Sequence, residues 1–147
     1  MTADERDKLR TEAVTNWHRR FIDLAMHVAQ WSKDPSTKVG AVIVDERYKV
    51  ISLGYNGFPR WVDDLEERYN DRPTKYQFVV HAELNAILNA TVPLDGMTLY
   101  TTLSPCHECA KAIIQSGIIE VVYYELRPDI VTDAMFEEAD IRMRTFE

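Results

Sequence analysis

Cysteine is nearly missing: 147 residues hold only Cys106 and Cys109. Two thiols three positions apart cannot build the disulfide framework of a small secreted domain. Glycine and proline are sparse, at 5 and 6, which excludes collagen-like and low-complexity chains. No apolar run approaches the ~18–20 residues of a membrane helix. Residues 1–10 are charged and carry no apolar stretch, so no secretory signal is expected there. Basic charge is also in deficit. There are 17 Lys and Arg against 24 Asp and Glu, a formal charge of −7. Proteins that grip long nucleic acids spread Lys and Arg over one face to neutralise phosphates. The acidic balance speaks against that partner, but not against a small anion held by a few local donors.

What is present describes a folded chain. Hydrophobic residues make up 46% and charged residues 28%, which separates it from disordered sequences. The length suits one domain over 1–147. Residues 1–15 are polar and read as a frayed or helical extension. Trp17, Phe21, Leu24, Ala25, Val28 and Trp31 share one face at helical spacing, which predicts a helix over 16–32. His18, beside Arg19 and Arg20, reads as solvated, and His27 as structural. Val39–Asp45 and Lys49–Tyr55 read as a strand hairpin. Residues 60–78 are charged, show no clear period and read as a long functional loop. Helices are expected over 81–90 and 130–138, and strands over 97–102, 118–124 and 141–146. Ser104 and Pro105 look like a helix N-cap and first position, with Gly117 as the stop. Strands alternating with helices imply a three-layer α/β/α architecture with about five strands.

Two short segments carry chemistry. His81-Ala82-Glu83 opens one helix, and Pro105-Cys106-His107-Glu108-Cys109 opens the next. Zinc takes thiolate and imidazole ligands in a tetrahedron, and a catalytic site leaves the fourth position to water. His81, Cys106 and Cys109 supply three ligands. The cysteines lie one turn apart at a helix start, where the amide dipoles favour thiolate. Glu83 starts close enough to His81 to serve as the general acid and base. His107 adjoins Cys106 and points elsewhere, since consecutive helical residues diverge. A redox Cys-x-x-Cys pair leaves the His-Ala-Glu segment unexplained. A closed structural zinc site, or a zinc domain that only senses nucleotides, leaves Glu83 without work.

His-x-Glu followed by Pro-Cys-x-x-Cys is the mark of zinc deaminases acting on bases. The likeness extends further. Ser32-Lys33-Asp34-Pro35, Thr37-Lys38-Val39-Gly40-Ala41-Val42-Ile43-Val44, Gly54-Tyr55-Asn56-Gly57 with Pro59, His81 to Ile87, and Pro105 to Ile118 together resemble the deoxycytidylate (dCMP) deaminases. The similarity runs from about residue 17 to the C-terminus, including Ala139-Asp140-Ile141-Arg142. It implies a cytidine-deaminase-like fold with a mixed sheet, and hydrolysis of dCMP to dUMP and ammonia, which feeds thymidylate synthesis. It implies a cytoplasmic homo-oligomer, a hexamer in many members, activated by dCTP and inhibited by dTTP. By resemblance, Asn56 contacts the sugar, the backbone near Ala41 the base, and the Ser104 carbonyl the departing amine. Lys33, Asp34, Gly54, Tyr55 and Gly57 belong to the effector site. Some members carry extra cysteines for a second, structural zinc. This chain has none to spare, so one zinc per subunit is expected. Arg60, Arg72 and Lys75 are candidates for the phosphate. Deaminases of other cytosine nucleotides or nucleosides, and of tRNA adenosine, share the metal motifs; the acidic charge disfavours the tRNA enzymes.

Overall fold

The computed structural model describes residues 1–146. Its elements run in the order α1 (Ala3–Ala29), β1 (Gly40–Val44), β2 (Val50–Tyr55), α2 (Glu66–Asn70), α3 (Arg72–Phe78), α4 (Ala82–Asn89), β3 (Thr98–Leu103), α5 (His107–Ser116), β4 (Glu120–Glu125), α6 (Ile130–Glu138) and β5 (Arg142–Thr145). Five strands form one sheet in the order β2-β1-β3-β4-β5. β1 pairs antiparallel with β2 and β3, while β3–β4 and β4–β5 are parallel. The mixed sheet is therefore as expected.

Alternation along the strands sorts side chains to two faces. Val42, Val44, Tyr100 and Val122 pack with Phe21, Ile22 and Ala25 of α1. Ala41, Ile43, Leu99 and Val121 pack with Ala82 and Ala86 of α4, Ala110 and Ile113 of α5, and Phe136 of α6. Every residue of β1 is buried, as a strand covered on both sides must be. The result is three layers, α/β/α.

Several local expectations change. α1 begins at Ala3, under a capping box between Thr2 and Glu5, and ends at Ala29, so Trp31 lies beyond it and is half exposed. His18 is half-buried rather than solvated. Its Nδ1 lies 2.7 Å from the Tyr100 hydroxyl. Residues 66–78 hold two short helices rather than a bare loop. The cap of α5 is Cys106, two positions after Ser104. Gly117 closes that helix at φ 88° as foreseen.

Candidate active site

β3 and β4 run in parallel, and the loops leaving their C-terminal ends lead into α5 and α6. The two helix entrances that matter, those of α4 and α5, meet there. His81 is the N-cap of α4 and Cys106 the N-cap of α5, and both hold extended backbone that aims their side chains ahead of the first turn. Cys109 sits in that turn of α5. The His81 Nδ1 lies 3.4 Å from Cys106 Sγ and 3.3 Å from Cys109 Sγ. All three ligand atoms fall within 4.8 Å of one another.

This donor set fits zinc. A tetrahedral ion with bonds of about 2.3 Å to sulfur and 2.0 Å to nitrogen sets its S···N edges at roughly 3.5 Å, close to the observed separations. His107 is not part of the cluster. Its ring Nδ1 and its backbone N–H both meet Asp129 Oδ2, at 3.0 Å each. Asp129 Oδ1 meanwhile accepts from the backbone of Val131 and Thr132. One carboxylate thus caps α5 and α6 together, fixing the helix start that carries both cysteines.

The thiols are electrostatically coupled. A hydrogen bond from Cys109 draws Cys106 down to about 3, against the opposing effect of burial. The same bond, with burial and the nearby Glu83 carboxyl, pushes Cys109 up. The bond to Cys106 raises His81. A cation entering the site must displace the thiol protons, because zinc takes cysteine as thiolate.

Glu83 stands in the first turn of α4, 2% exposed. Burial pushes its carboxyl above the ordinary range, while contacts with Cys109 and Thr101 pull it back. Thr101 Oγ1 lies 3.0 Å from Glu83 Oε1 and 2.8 Å from the Leu103 carbonyl oxygen. The hydroxyl has one proton for two acceptors.

A cleft of about 560 Å³, open solvent at its mouth included, reaches this point, and His81, Glu83, Asn56, Val39, Lys75 and Arg127 are among the residues that line it. Asn56 is buried on its floor. Its Oδ1 accepts from Val39 N at 2.8 Å and its Nδ2 donates to the Thr37 carbonyl at 2.8 Å. Asp34, 1% exposed, accepts from Ser36 and Thr37 and pairs with Lys75 Nζ at 2.7 Å.

Other anticipated residues lie elsewhere. Ala41 is wholly buried inside β1, in register with Gly54 on one side and Thr101 on the other, while Thr37 and Val39, just ahead of it, line the cleft. Ser104 is buried, with its hydroxyl clasping the backbone of Arg127. Lys33 is exposed and pairs with Asp64 at 3.2 Å. Gly54 allows α4 to approach β2, since a Cβ there would lie 2.3 Å from Ala82 O and Ala86 N. Tyr55 and Gly57 line a separate groove with Arg60, Asn85 and Asn89. Arg72 lines a further groove outside the cleft. Sequence reasoning missed Thr101, Arg127 and Asp129. No motif marks them, because their roles come from strand and loop ends that meet only on folding.

The three-layer fold and the His-Cys-Cys cluster beside a buried carboxyl are those of the zinc-binding deaminase class. Residues 15–125 match the family model described as the cytidine and deoxycytidylate deaminase zinc-binding region, and the chain belongs to that family. The deoxycytidylate deaminase of Mus musculus is 41% identical over 141 residues, covering 88% of this chain and 79% of that protein. The Homo sapiens deoxycytidylate deaminase is 39% identical over the same shares. Among solved structures, the apo dCMP deaminase of the cyanophage S-TIM5 superposes with a TM-score of 0.74 at 25% identity, over 88% of this chain and 96% of that one.

Proposed function

We propose that this chain hydrolyses dCMP to dUMP and ammonia, with one zinc ion per subunit. The observation that carries the proposal is the buried Glu83 carboxyl beside the His81, Cys106 and Cys109 ligand atoms at the end of an open cleft. Relatives named deoxycytidylate deaminase support the choice of substrate.

His81, Cys106 and Cys109 would hold the zinc ion, which when bound would acidify the attacking water. Glu83 takes a proton from that water and delivers it to ring nitrogen 3 of the cytosine. The water oxygen bonds to carbon 4, which becomes tetrahedral. Glu83 then carries the second proton to the amino nitrogen, the C4–N bond breaks and ammonia leaves. Thr101 keeps the carboxyl aimed through both transfers. Its exchange between partners costs little, because Thr101 accepts from the neutral acid and donates to the anion. Asn56, anchored by Val39 and Thr37, takes the sugar. The Ser104 carbonyl and the backbone of β1 near Ala41 serve the departing amine and the base.

The same family resemblance supports a cytoplasmic homo-hexamer that supplies dUMP for thymidylate synthesis, with dCTP activating and dTTP inhibiting. The groove beside Tyr55 and Gly57 lies apart from the catalytic cleft, as an effector site must. Lys33 and Asp34, in the turn between α1 and β1, are assigned to the effector site by the family resemblance, and Asp34 also lines the catalytic cleft. No described helix is long and apolar enough to cross a membrane.

The test is turnover of dCMP, cytidine and dCTP on metal-quantified protein, with and without dCTP and dTTP as effectors. dCMP is expected to be the best substrate, at one zinc per chain. A different preferred substrate overturns the assignment.

A further inference from the structure

A nucleoside monophosphate differs from its nucleoside by a phosphate bearing about −1.5 to −2 charges near neutral pH. A site that prefers the nucleotide needs a cation to read that group. The cleft is lined by two such side chains, Lys75 and Arg127. Lys75 is engaged already. Its Nζ lies 2.7 Å from Asp34 Oδ2 and 3.0 Å from Ser36 Oγ, and drawing it towards a ligand would strand a carboxylate that is 1% exposed. Arg60 and Arg72 line other grooves.

Arg127 differs in each respect. Among the described residues no carboxylate forms an ion pair with it. Its side chain is exposed at the cleft, while its backbone is fixed. Arg127 N donates to Ser104 Oγ at 2.7 Å, and Ser104 Oγ donates to the Arg127 carbonyl at 3.1 Å. Ser104 is itself wholly buried, two residues before Cys106. The clasp therefore holds the root of Arg127 at a set place relative to the metal ligands. A guanidinium is planar and always charged, and meets phosphate oxygens through two parallel N–H bonds.

From this we infer that Arg127 reads the 5′-phosphate and is the specificity residue that separates nucleoside monophosphate from nucleoside. The inference rests on the proposed dCMP reaction for its substrate. Ser104 becomes a positioning residue for Arg127. Lys75, despite its charge and place, organises Asp34 instead.

The test uses the zinc-loaded protein and two variants, Arg127→Gln and Arg127→Lys. Two quantities are measured: kcat/KM on dCMP and on deoxycytidine, and the Kd of dUMP and deoxyuridine by calorimetry. In Arg127→Gln the dCMP-to-deoxycytidine ratio of kcat/KM falls on the order of 10–100-fold, the range for lost hydrogen bonds to a charged group. The dUMP Kd rises by a similar factor, and Arg127→Lys recovers part of both. An unchanged ratio with an unchanged dUMP Kd overturns the role of Arg127. So does an equal loss for nucleotide and nucleoside, which marks a merely structural residue. Wild-type protein idle on dCMP overturns the proposed reaction instead, and the dUMP binding measurement still judges Arg127 in that event.

Discussion

Lys75 Nζ lies 2.7 Å from Asp34 Oδ2, and both side chains are withdrawn from solvent. The pair ties α3 to the turn that holds Asn56. Burial raises the Asp34 carboxyl, but Lys75, Ser36 and Thr37 outweigh it and hold the group below its ordinary value. Removing one partner leaves a buried charge unpaired. Lys75→Met is therefore expected to cost about 3–5 kcal/mol, read as a lower denaturation midpoint. The pH dependence follows from the depressed carboxyl. The stabilisation is complete above about pH 4, the unfolded value, and is lost as the pH falls through the lower folded value. Midpoints measured between pH 7 and 3 check both statements.

Glu83 is expected to be dispensable for metal binding and indispensable for turnover. Glu83→Gln should lower kcat on the order of 10²–10⁴-fold with zinc content unchanged by elemental analysis. Retained turnover would falsify the shuttle role. Thr101→Val, which removes the partner at 3.0 Å, should lower kcat about tenfold.

Gly54 belongs to the packing of α4 on β2. A Cβ there would lie 2.3 Å from backbone atoms of Ala82 and Ala86, which cannot rotate away. Gly54→Ala should destabilise the protein by about 1–3 kcal/mol and move the helix that carries Glu83. Both effects are measurable, by thermal melts and by kcat on dCMP. A variant with the wild-type melting point would show that α4 yields more easily than its contacts indicate.

Asp129 serves two helices at once. Bonds from the Thr132 backbone and then from His107 bring its carboxyl down to about 2. Asp129→Ala should lower Tm and release zinc faster to a chelator, because the start of α5 loses its tie to α6. This contribution is present above about pH 4 and is lost as the pH falls towards 2.

Much of this arrangement is legible before folding. α6 is read at residues 130–138 and found at Ile130–Glu138. The metal cluster is read because its ligands keep fixed spacings at two helix starts. The first two turns and more of α1 are not, since residues 1–16 are all exposed and no apolar stripe marks them. α2 and α3 are short and bury only Tyr69 and Lys75, too little to set a period. His18 misleads for a different reason. Arg19 and Arg20 follow it in sequence, but its partner, Tyr100, is 82 positions away. Likewise, nothing near Lys75 in the chain announces Asp34. Long-range partners of polar side chains are what periodicity cannot see.

His81 and Cys106 stand 25 positions apart in the chain yet face each other across 3.4 Å. An ion gripping both would act as a rivet across that stretch, which contains α4 and β3. Freed of such a fastener, the unfolded polymer regains the wandering that closure of the stretch had denied it. Resistance to heating should then rise with dissolved zinc, as mass action requires of anything that favours the native form.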